Sequence, residues 1–403
     1  MTKLTLPRVA ALLVMLLLAG YTFFLAPRIA GLPGETPALA GPAWVPEPTD
    51  QPAKRPQFPP VNRAFLGIAT SAGYHDFKVF DEFAAATKHK PNVLMFTAGW
   101  ASDQFDRQGI DRIASRGVMP VISWEPWDPS APVQSDNSRK NQPKYQLKRI
   151  IAGEYDGYIR NWARGVAGLP YQVGMRLAHE MNGFWYPWSE QSNGNTPGEY
   201  VQMWRHVHDI FEQVGAQNVL WIWSPNVTYT GATPIPPLYP GDKYVDWMGL
   251  SGYYGTEGTE GYRSFADTFA ASLDILRSIA SKPIVITELS ATDKDARKAE
   301  WIRDMFATLP SYPDVLGTIW FEAVREADWR IGTNPGAAQA YAGGADDVRY
   351  ATTWTPDSAA RLEAPQPAPP PPPPPPSSAP PPSSPKANPT KSPTRRPPTT
   401  TRR

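Results

Sequence analysis

Short apolar runs alternate with stretches of helical period along the middle of the chain, and this rhythm limits the fold more than any other feature. The apolar runs cover residues 65–70, 93–97, 118–124, 173–179, 219–223, 247–252, 284–288 and 315–321. The amphipathic stretches between them cover residues 80–88, 110–116, 148–166, 200–214, 265–279 and 298–308. Strands that alternate with helices form a parallel sheet, and eight such strands in this length predict a single α/β domain, a (β/α)₈ TIM barrel.

A doubly wound open sheet is the structural alternative for the same pattern. Such a sheet usually carries a G-x-G-x-x-G turn after its first strand, where it binds a dinucleotide. The segment from Gly67 to Gly73, at the end of the first run, lacks the G-x-G-x-x-G spacing. The barrel is therefore the prediction, with residues 62–358 as its domain.

The two ends of the chain differ in composition from this middle part. Lys3 and Arg8 precede an uncharged stretch over residues 9–26, which indicates a membrane anchor or a cleaved signal peptide within residues 1–30. Either interpretation predicts an extracytoplasmic location. Residues 31–61 are rich in Pro, Gly and Ala and are predicted to be a linker. Residues 359–403 form a Pro-rich, low-complexity tail that is predicted to be disordered, either as a cell-wall contact or as a solvated spacer.

Composition excludes several functional classes. The chain has 39 basic and 38 acidic residues, so nothing indicates nucleic acid as a partner. It has no cysteine, which excludes disulfides, thiolate metal sites and a cysteine nucleophile. With only 5 histidines as well, we expect neither a metal site nor a cofactor. The 15 tryptophans are many for a globular chain, and each buried indole N–H needs a partner.

Carboxylates and aromatic residues follow the ends of most predicted strands, where a barrel of this type builds its site. Glu180 ends the fourth strand, within the aromatic-rich run 176–188, and Glu288 ends the seventh. Two carboxylates beside aromatic rings are what hydrolysis of a glycosidic bond requires. The pattern predicts a sugar cleft with the candidate contacts His179, Trp185, Trp188, Tyr253, Trp124, Trp223, Trp320 and Asn226. Glu125 and Glu322 also lie near strand ends, so position alone does not select the catalytic pair.

Side-chain alternation along the fourth strand puts Arg176, Ala178 and Glu180 on one face. Arg176 would then lie inside the barrel and hold the carboxylates, or serve as a structural arginine paired with any acid. His179 could contact a sugar hydroxyl or a carboxylate, or be purely structural. The pair His179-Glu180 is not a zinc-protease motif, because no second histidine follows at the H-E-x-x-H spacing.

Two motifs resemble those of glycoside hydrolase family 26, a β-mannanase-type family of retaining (β/α)₈ glycosidases. His179-Glu180-Met-Asn-Gly183, followed by Trp-Tyr-Pro-Trp188, resembles the family's acid/base motif, and Ile286-Thr-Glu288 resembles its nucleophile motif. The resemblance covers roughly residues 62–355, including Trp320 and the run 328–330 near the eighth strand. It implies that Glu180 is the acid/base and Glu288 the nucleophile.

The same resemblance implies a role for a tyrosine and leaves the substrate open. Tyr253 is similar to the family tyrosine that hydrogen-bonds the nucleophile. Ser251 stands where members often carry Asp, and Pro187 stands where mannanases often carry an aromatic residue. The Trp-Tyr-Pro-Trp form is similar to members that act on mixed-linkage β-glucan.

The predicted function is therefore retaining hydrolysis of a β-linked polysaccharide, of the endo-β-1,4-mannanase type. Mixed-linkage β-1,3-1,4-glucan is the alternative substrate. A non-catalytic carbohydrate-binding wall protein on the same barrel is the alternative from another class, and a membrane-anchored enzyme that trims an exported polymer is a further one. Retention predicts a separation of about 5–5.5 Å between the two carboxyl groups, whereas inversion predicts about 6.5–9.5 Å. Glu180 is expected to have a raised pKa, from the apolar wall of Trp185 and Tyr186 and from the charge of Glu288.

Overall fold

A computed structural model describes residues 57–255 and 261–360, which form a closed barrel of parallel strands. Each strand pairs with its neighbour in the chain, and β1 closes the barrel by pairing with β8. The strands are β1 (Phe65–Ala69), β2 (Val93–Gly99), β3 (Met119–Glu125), β4 (Val173–Leu177), β5 (Val219–Trp223), β6 (Trp247–Tyr254), β7 (Ile284–Ala291) and β8 (Val315–Phe321). The barrel prediction is confirmed. The predicted signal segment lies outside the described residues, as does the predicted tail from residue 361 onward.

Eight α-helices surround the barrel within the described part of the chain. They are α1 (Lys78–Thr87), α2 (Arg107–Ala114), α3 (Leu147–Ile151), α4 (Asp156–Ala167), α5 (Glu199–Val214), α6 (Phe265–Ile279), α7 (Lys298–Thr308) and α8 (Pro335–Ala345). Among these described helices, none has both the length and the apolar character that a membrane span requires.

Two helices differ from the sequence prediction. The stretch 148–166, predicted as one helix, is divided into α3 and α4 because Gly153 between them adopts a left-handed conformation with φ 87°. Helix α8 was not predicted, since its small Ala and Gly residues give little apolar periodicity. Its start is nevertheless encoded, because the Asn334 side chain accepts the Ala337 N–H and Pro335 occupies the first turn.

Aromatic stacking closes the N-terminal end of the barrel. The rings of Phe65 on β1 and Trp247 on β6 lie 5.7 Å apart, and Phe58 stacks on Phe65 at 5.5 Å. Phe58 is buried, and its N–H donates to Ala359. The folded unit therefore extends beyond both predicted boundaries, since Phe58 falls in the predicted linker and Ala359 in the predicted tail.

The backbone is irregular at the ends of β4 and β7. Ala178 and Glu180 have φ values of 43° and 53°, a left-handed conformation that is uncommon for residues other than glycine. In β7 the pairing with β6 shifts between Ile286 and Glu288, so that Thr287 is the extra residue of a β-bulge. Irregularities of these kinds concentrate at functional sites, where they redirect side chains.

Candidate active site

Glu180 and Glu288 lie together at the C-terminal end of the barrel. One carboxylate oxygen of each lies within 4.8 Å of the other, and a ring nitrogen of His179 lies within that distance of both. The chain separates the two glutamates by more than a hundred residues, and strands β4 and β7 bring them together across the barrel. This is the juxtaposition that the strand count predicted.

Both oxygens of Glu288 receive a hydrogen bond. Arg176 Nη1 donates to Oε2 at 2.7 Å, and the hydroxyl of Tyr253 donates to Oε1. Burial, followed by the charge of Glu288, raises the pKa of Tyr253 well above its ordinary value, so the phenol keeps its proton and remains a donor. The positive charge of Arg176 and these filled oxygens make the cluster unsuited to a metal ion.

Arg176 is fully buried beneath the two glutamates and is bonded through all three guanidinium nitrogens. Besides Glu288, it donates to the hydroxyls of Ser123 at 3.2 Å, Ser224 at 3.1 Å and Ser251 at 2.6 Å. Hydroxyls from β3, from the residue after β5 and from β6 thus fix one guanidinium. Its contact with Glu288 agrees with the predicted carboxylate-holding role.

The surroundings of Glu180 favour its protonated form. Burial, followed by the charge of Glu288, raises the pKa of Glu180 to about 7, against the opposing effect of the Arg176 charge. The indole N–H of Trp185 donates to Oε2 at 2.9 Å and orients the carboxyl group. The two carboxyl groups therefore differ in partners, since Glu288 contacts a cation and Glu180 does not.

Hydrogen bonds to the segment that follows β5 hold the backbone around Glu180. The Glu180 N–H donates to the Ser224 carbonyl at 2.7 Å. The side-chain Nδ2 of Asn182 donates to the Asn226 carbonyl at 2.9 Å, and its Oδ1 accepts the backbone N–H of Asn226 at 2.8 Å. These contacts stabilise the left-handed conformation of Glu180, and they show a positioning role for the Asn226 backbone. The half-buried side chain of Asn226 remains a predicted sugar contact.

His179 lies in the same hydrogen-bonded layer. Its Nδ1 is 3.1 Å from Ser123 Oγ and its Nε2 is 3.2 Å from the Tyr186 hydroxyl. Burial and the charges of Arg176 and Arg325 hold the pKa of His179 well below its ordinary value, so the ring is neutral at neutral pH. A neutral imidazole at this place can support Tyr186, whose ring faces the cleft.

Four tryptophans predicted as sugar contacts lie in the core instead, and that prediction is wrong for Trp124, Trp223, Trp320 and Trp188. Each of these side chains is at most 1% exposed, which leaves no face for a sugar ring. Alternation explains the error for the first three, because their strand neighbours face the barrel interior and the indoles face the helices. Trp124 contacts Trp162 on α4, Trp223 contacts Tyr239, and Trp320 contacts Trp301 on α7.

Trp188 has a different structural role. Its N–H donates to the His179 carbonyl at 2.7 Å, and its ring stacks on Tyr186 at 4.2 Å with an interplanar angle of 12°. It therefore supports the half-buried Tyr186 from behind. Trp185 stays a predicted contact, since it is partly exposed beside Tyr229 at 5.7 Å.

The two competing carboxylates have separate environments. Glu322 accepts the N–H groups of Ile331 at 2.7 Å and Gly332 at 2.9 Å, so it anchors the loop after β8. Glu125 lies in the cleft, where Trp127 Nε1 donates to its Oε2 at 2.7 Å. Neither makes the contacts with Arg176 and Tyr253 that distinguish Glu288.

The sequence prediction missed two arginines of the cleft. A pocket beside Glu288 is lined by residues that include Glu125, Trp127, Tyr186, Arg139 and Arg325. Alternation could have assigned Glu125 to the cleft, because Ser123 and Glu125 share the interior face of β3. The two arginines lie on loops, where no periodicity indicates the direction of a side chain.

Comparisons with known proteins agree with this arrangement. The profile of Glycosyl hydrolase family 26 matches residues 107–309, half of the chain. Endoglucanase H of Acetivibrio thermocellus is 33% identical over 282 residues, and mannan endo-1,4-beta-mannosidase of Bacillus subtilis (strain 168) is 26% identical over 306 residues. Among solved structures, the GH26 beta-mannanase BoMan26A from Bacteroides ovatus superposes with a TM-score of 0.55 at 17% identity.

The extent of these matches differs between the proteins. The alignment with endoglucanase H covers 68% of this chain but only 29% of that protein, whereas the alignment with the mannosidase covers 70% and 79%. The superposition with BoMan26A covers 72% of this chain and 90% of that structure. The shared region is therefore the barrel.

Proposed function

The chain belongs to glycosyl hydrolase family 26, and from this membership and the site geometry we propose that it is a retaining glycosidase of the endo-β-1,4-mannanase type. The observation that carries the proposal is the pair Glu180 and Glu288, whose oxygens lie within 4.8 Å and whose surroundings differ. A retaining pair is separated by about 5–5.5 Å, too close for the water that an inverting enzyme places between its carboxyl groups.

In the proposed mechanism Glu288 attacks the anomeric carbon, while Glu180 donates its proton to the leaving glycosidic oxygen. The bond to the leaving sugar breaks and a glycosyl ester forms on Glu288, whose attacking oxygen loses its hydrogen bond as its charge passes into the new C–O bond. Glu180, now a carboxylate, takes a proton from water as the water attacks the same anomeric carbon and displaces the Glu288 carboxylate, which Arg176 and Tyr253 then bind again. The sugar leaves with its original configuration, and Glu180 is protonated again.

The polymer class is proposed from the relatives. Mannan is supported by the mannosidase of Bacillus subtilis, with which the chain aligns over most of both proteins. Mixed-linkage β-glucan is the second candidate, supported by the 33% identity with endoglucanase H. Pro187, at the position where mannanases often carry an aromatic residue, favours this second candidate.

The test is reducing-sugar release from β-mannan, mixed-linkage β-glucan and β-1,3-xylan. The wild-type chain is compared with Glu180→Ala and Glu288→Ala, and proton NMR identifies the anomer formed first. Release from one polymer, lost in both variants, with the β anomer appearing first, supports the proposal. An α anomer as first product would refute retention. Binding of a polymer without release in any condition would support the non-catalytic wall protein.

The cellular location is a separate proposal. The uncharged stretch 9–26 between basic residues supports export, with the barrel outside the cytoplasm and the segment either retained in the membrane or removed. The Pro-rich composition of the C-terminal tail supports a spacer or a contact with the cell wall. Cell fractionation and N-terminal sequencing of the mature protein test the first point, and deletion of residues 361–403 followed by a wall-binding assay tests the second.

A further inference from the structure

A pocket extends from Glu288 toward strands β1, β2 and β3. Neither Glu180 nor Trp185 lines this pocket. The attacking carboxylate lies against the sugar whose anomeric carbon it attacks, whereas the proton donor lies beside the leaving group. The pocket is therefore on the glycone side of the bond to be cleaved.

Two arginines, Arg139 and Arg325, line this pocket. Within residues 57–255 and 261–360, no acidic side chain lies within ion-pair distance of Arg139 or Arg325. Arg139 comes from the segment between β3 and α3, and its Nε donates to the Ala131 carbonyl at 2.5 Å, so its terminal nitrogens remain for another acceptor. Arg325 comes from the segment after β8, with its guanidinium 5.8 Å from the ring centre of Phe321.

The paired arginine on the same segment shows the contrast. Arg330 donates to both oxygens of Asp328, at 2.9 and 2.8 Å, and does not line the pocket. A guanidinium that has no protein carboxylate and faces a cleft is suited to a carboxylate or hydroxyls of a ligand. Arg139 and Arg325 are in that position, on the segments that follow β3 and β8.

Glu125 does not neutralise the two arginines. Its Oε2 accepts from Trp127, while its Oε1 lies 3.8 Å from His179 Nδ1, beyond hydrogen-bond distance. Burial raises the pKa of Glu125 to about 8, so the group is mostly uncharged at neutral pH. A protonated carboxyl is a donor, and its open oxygen adds a third donor site to the same pocket.

We infer that the pocket binds a sugar that carries a carboxylate, a uronic acid residue, on the glycone side of the cleaved bond. The inference rests on the proposed function for its orientation along the chain of sugars. Arg139 and Arg325 bind the carboxylate oxygens, and Glu125 donates to the same group or to a neighbouring hydroxyl. The substrate is then an acidic β-linked polysaccharide, or a neutral one with occasional acidic residues.

The experiment uses one polymer in two forms. The β-glucan or β-mannan that the full chain hydrolyses is compared with the same polymer after a small fraction of its C6 hydroxyls has been oxidised to carboxylates. We expect kcat/KM to be higher on the oxidised form at low salt and this advantage to decrease as salt increases. Arg139→Gln and Arg325→Gln should each reduce the advantage by about tenfold, since each removes a charge-assisted hydrogen bond. Arg330→Gln is the matched control and should leave the advantage unchanged.

A binding measurement separates this inference from the proposed function. Methyl β-glucuronide and methyl β-glucoside are titrated against the Glu180→Gln protein, alone and with both pocket arginines changed to Gln. Tighter binding of the glucuronide, lost in the arginine variants, supports the pocket even if no polymer is hydrolysed. Equal binding of both glycosides would overturn the inference. So would an equal loss of kcat/KM on both forms of the polymer in the arginine variants, because the arginines would then bind neutral hydroxyls.

Discussion

Replacement of Glu180 by Gln tests the central acid of the site. Gln keeps the size of the side chain and an oxygen that can accept from Trp185, so the fold should be retained. Because the pKa of Glu180 is raised to about 7, about nine-tenths of the molecules carry its proton at pH 6 and about one-tenth at pH 8. Only the protonated form can donate to the leaving oxygen, so wild-type kcat should fall about tenfold over that interval.

The variant removes both the proton and its titration. General acid catalysis contributes about 10²–10⁴-fold, and we expect a loss of that size on polymer substrates. The loss in kcat/KM, which reports the first step, should be much smaller on an aryl glycoside whose leaving group needs no proton. The fall in kcat/KM above pH 7 should disappear, whereas kcat on the aryl substrate still decreases because the second step needs Glu180 as base. The assay is steady-state hydrolysis from pH 5 to 9 with both substrates. The matched control is Glu125→Gln, which replaces a neighbouring buried carboxyl whose pKa is raised to about 8.

Three results would refute the assignment of Glu180. One is a Glu180→Gln protein that keeps polymer activity within tenfold of wild type. Another is a basic limb that persists in this variant and vanishes in Glu125→Gln, because the titrating acid would then be Glu125. The third is an equal loss of kcat/KM on polymer and aryl glycoside, since the first step on the aryl substrate does not depend on a proton donor.

Further predictions concern stability, measured as free energy of unfolding in denaturant. Glu180→Gln should raise the free energy of unfolding by up to about 3 kcal/mol at pH 8 and leave it unchanged below pH 4. The reason is that the raised pKa of Glu180 makes its ionised form destabilise the folded state, and the carboxyl ionises in the unfolded chain only above its ordinary pKa of 4.5. A pH-independent change would contradict this. Arg176→Met should cost about 3–5 kcal/mol, since it leaves buried acceptors and a buried carboxylate without their cation, whereas the exposed Arg164→Met should cost little. On α4, Gly165→Ala should cost about 1–3 kcal/mol, because its Cβ would lie 2.2 Å from the Phe105 ring. Gly157→Ala, with nothing within 4 Å, should instead stabilise α4 by about 0.5 kcal/mol; equal effects at the two glycines would refute the steric explanation.

Much of the architecture could be predicted from the sequence because short apolar runs, typical of buried strands, alternate in it with stretches of helical period. Apolar runs such as 93–97 and 219–223 are long enough for strands, and their number leaves few ways to bury every strand. The same count places Glu180 and Glu288 at one end of the barrel. Their separation along the chain does not matter, since all parallel strands end on the same side.

The tryptophans show where position along a strand is insufficient. Trp124 and Trp320 lie at strand ends, but the side chain direction alternates, so one residue of difference moves an indole from the cleft to the helical layer. Ser123, Glu125 and Phe321, next to them, face the interior or the cleft instead. A prediction that combined strand ends with alternation would have assigned these indoles to the core.

Other features depend on tertiary contacts that no local pattern encodes. The left-handed conformations of Ala178 and Glu180 contradict the local preference of both residues, and they persist because neighbouring strands supply hydrogen-bond partners. The Ala178 N–H donates to the Trp124 carbonyl on β3, and the Glu180 N–H donates to the Ser224 carbonyl directly after β5. The bulge at Thr287 also depends on another strand, since its hydroxyl lies 2.7 Å from the hydroxyl of Ser224, directly after β5. A sequence pattern describes each strand alone, and these features belong to pairs of strands.

The dependence of the β4 end on β5 limits how this barrel can be recombined with its relatives. The backbone N–H of Glu180 is held by the Ser224 carbonyl, and the Asn182 side chain is hydrogen-bonded to the Asn226 backbone. These two pairs of partners are far apart in the chain. A chimera with its breakpoint between these segments joins the acid motif of one parent to the strand end of another. Breakpoints outside residues 176–226 keep the unit whole, so shuffled libraries should yield active barrels mainly when both segments come from one parent.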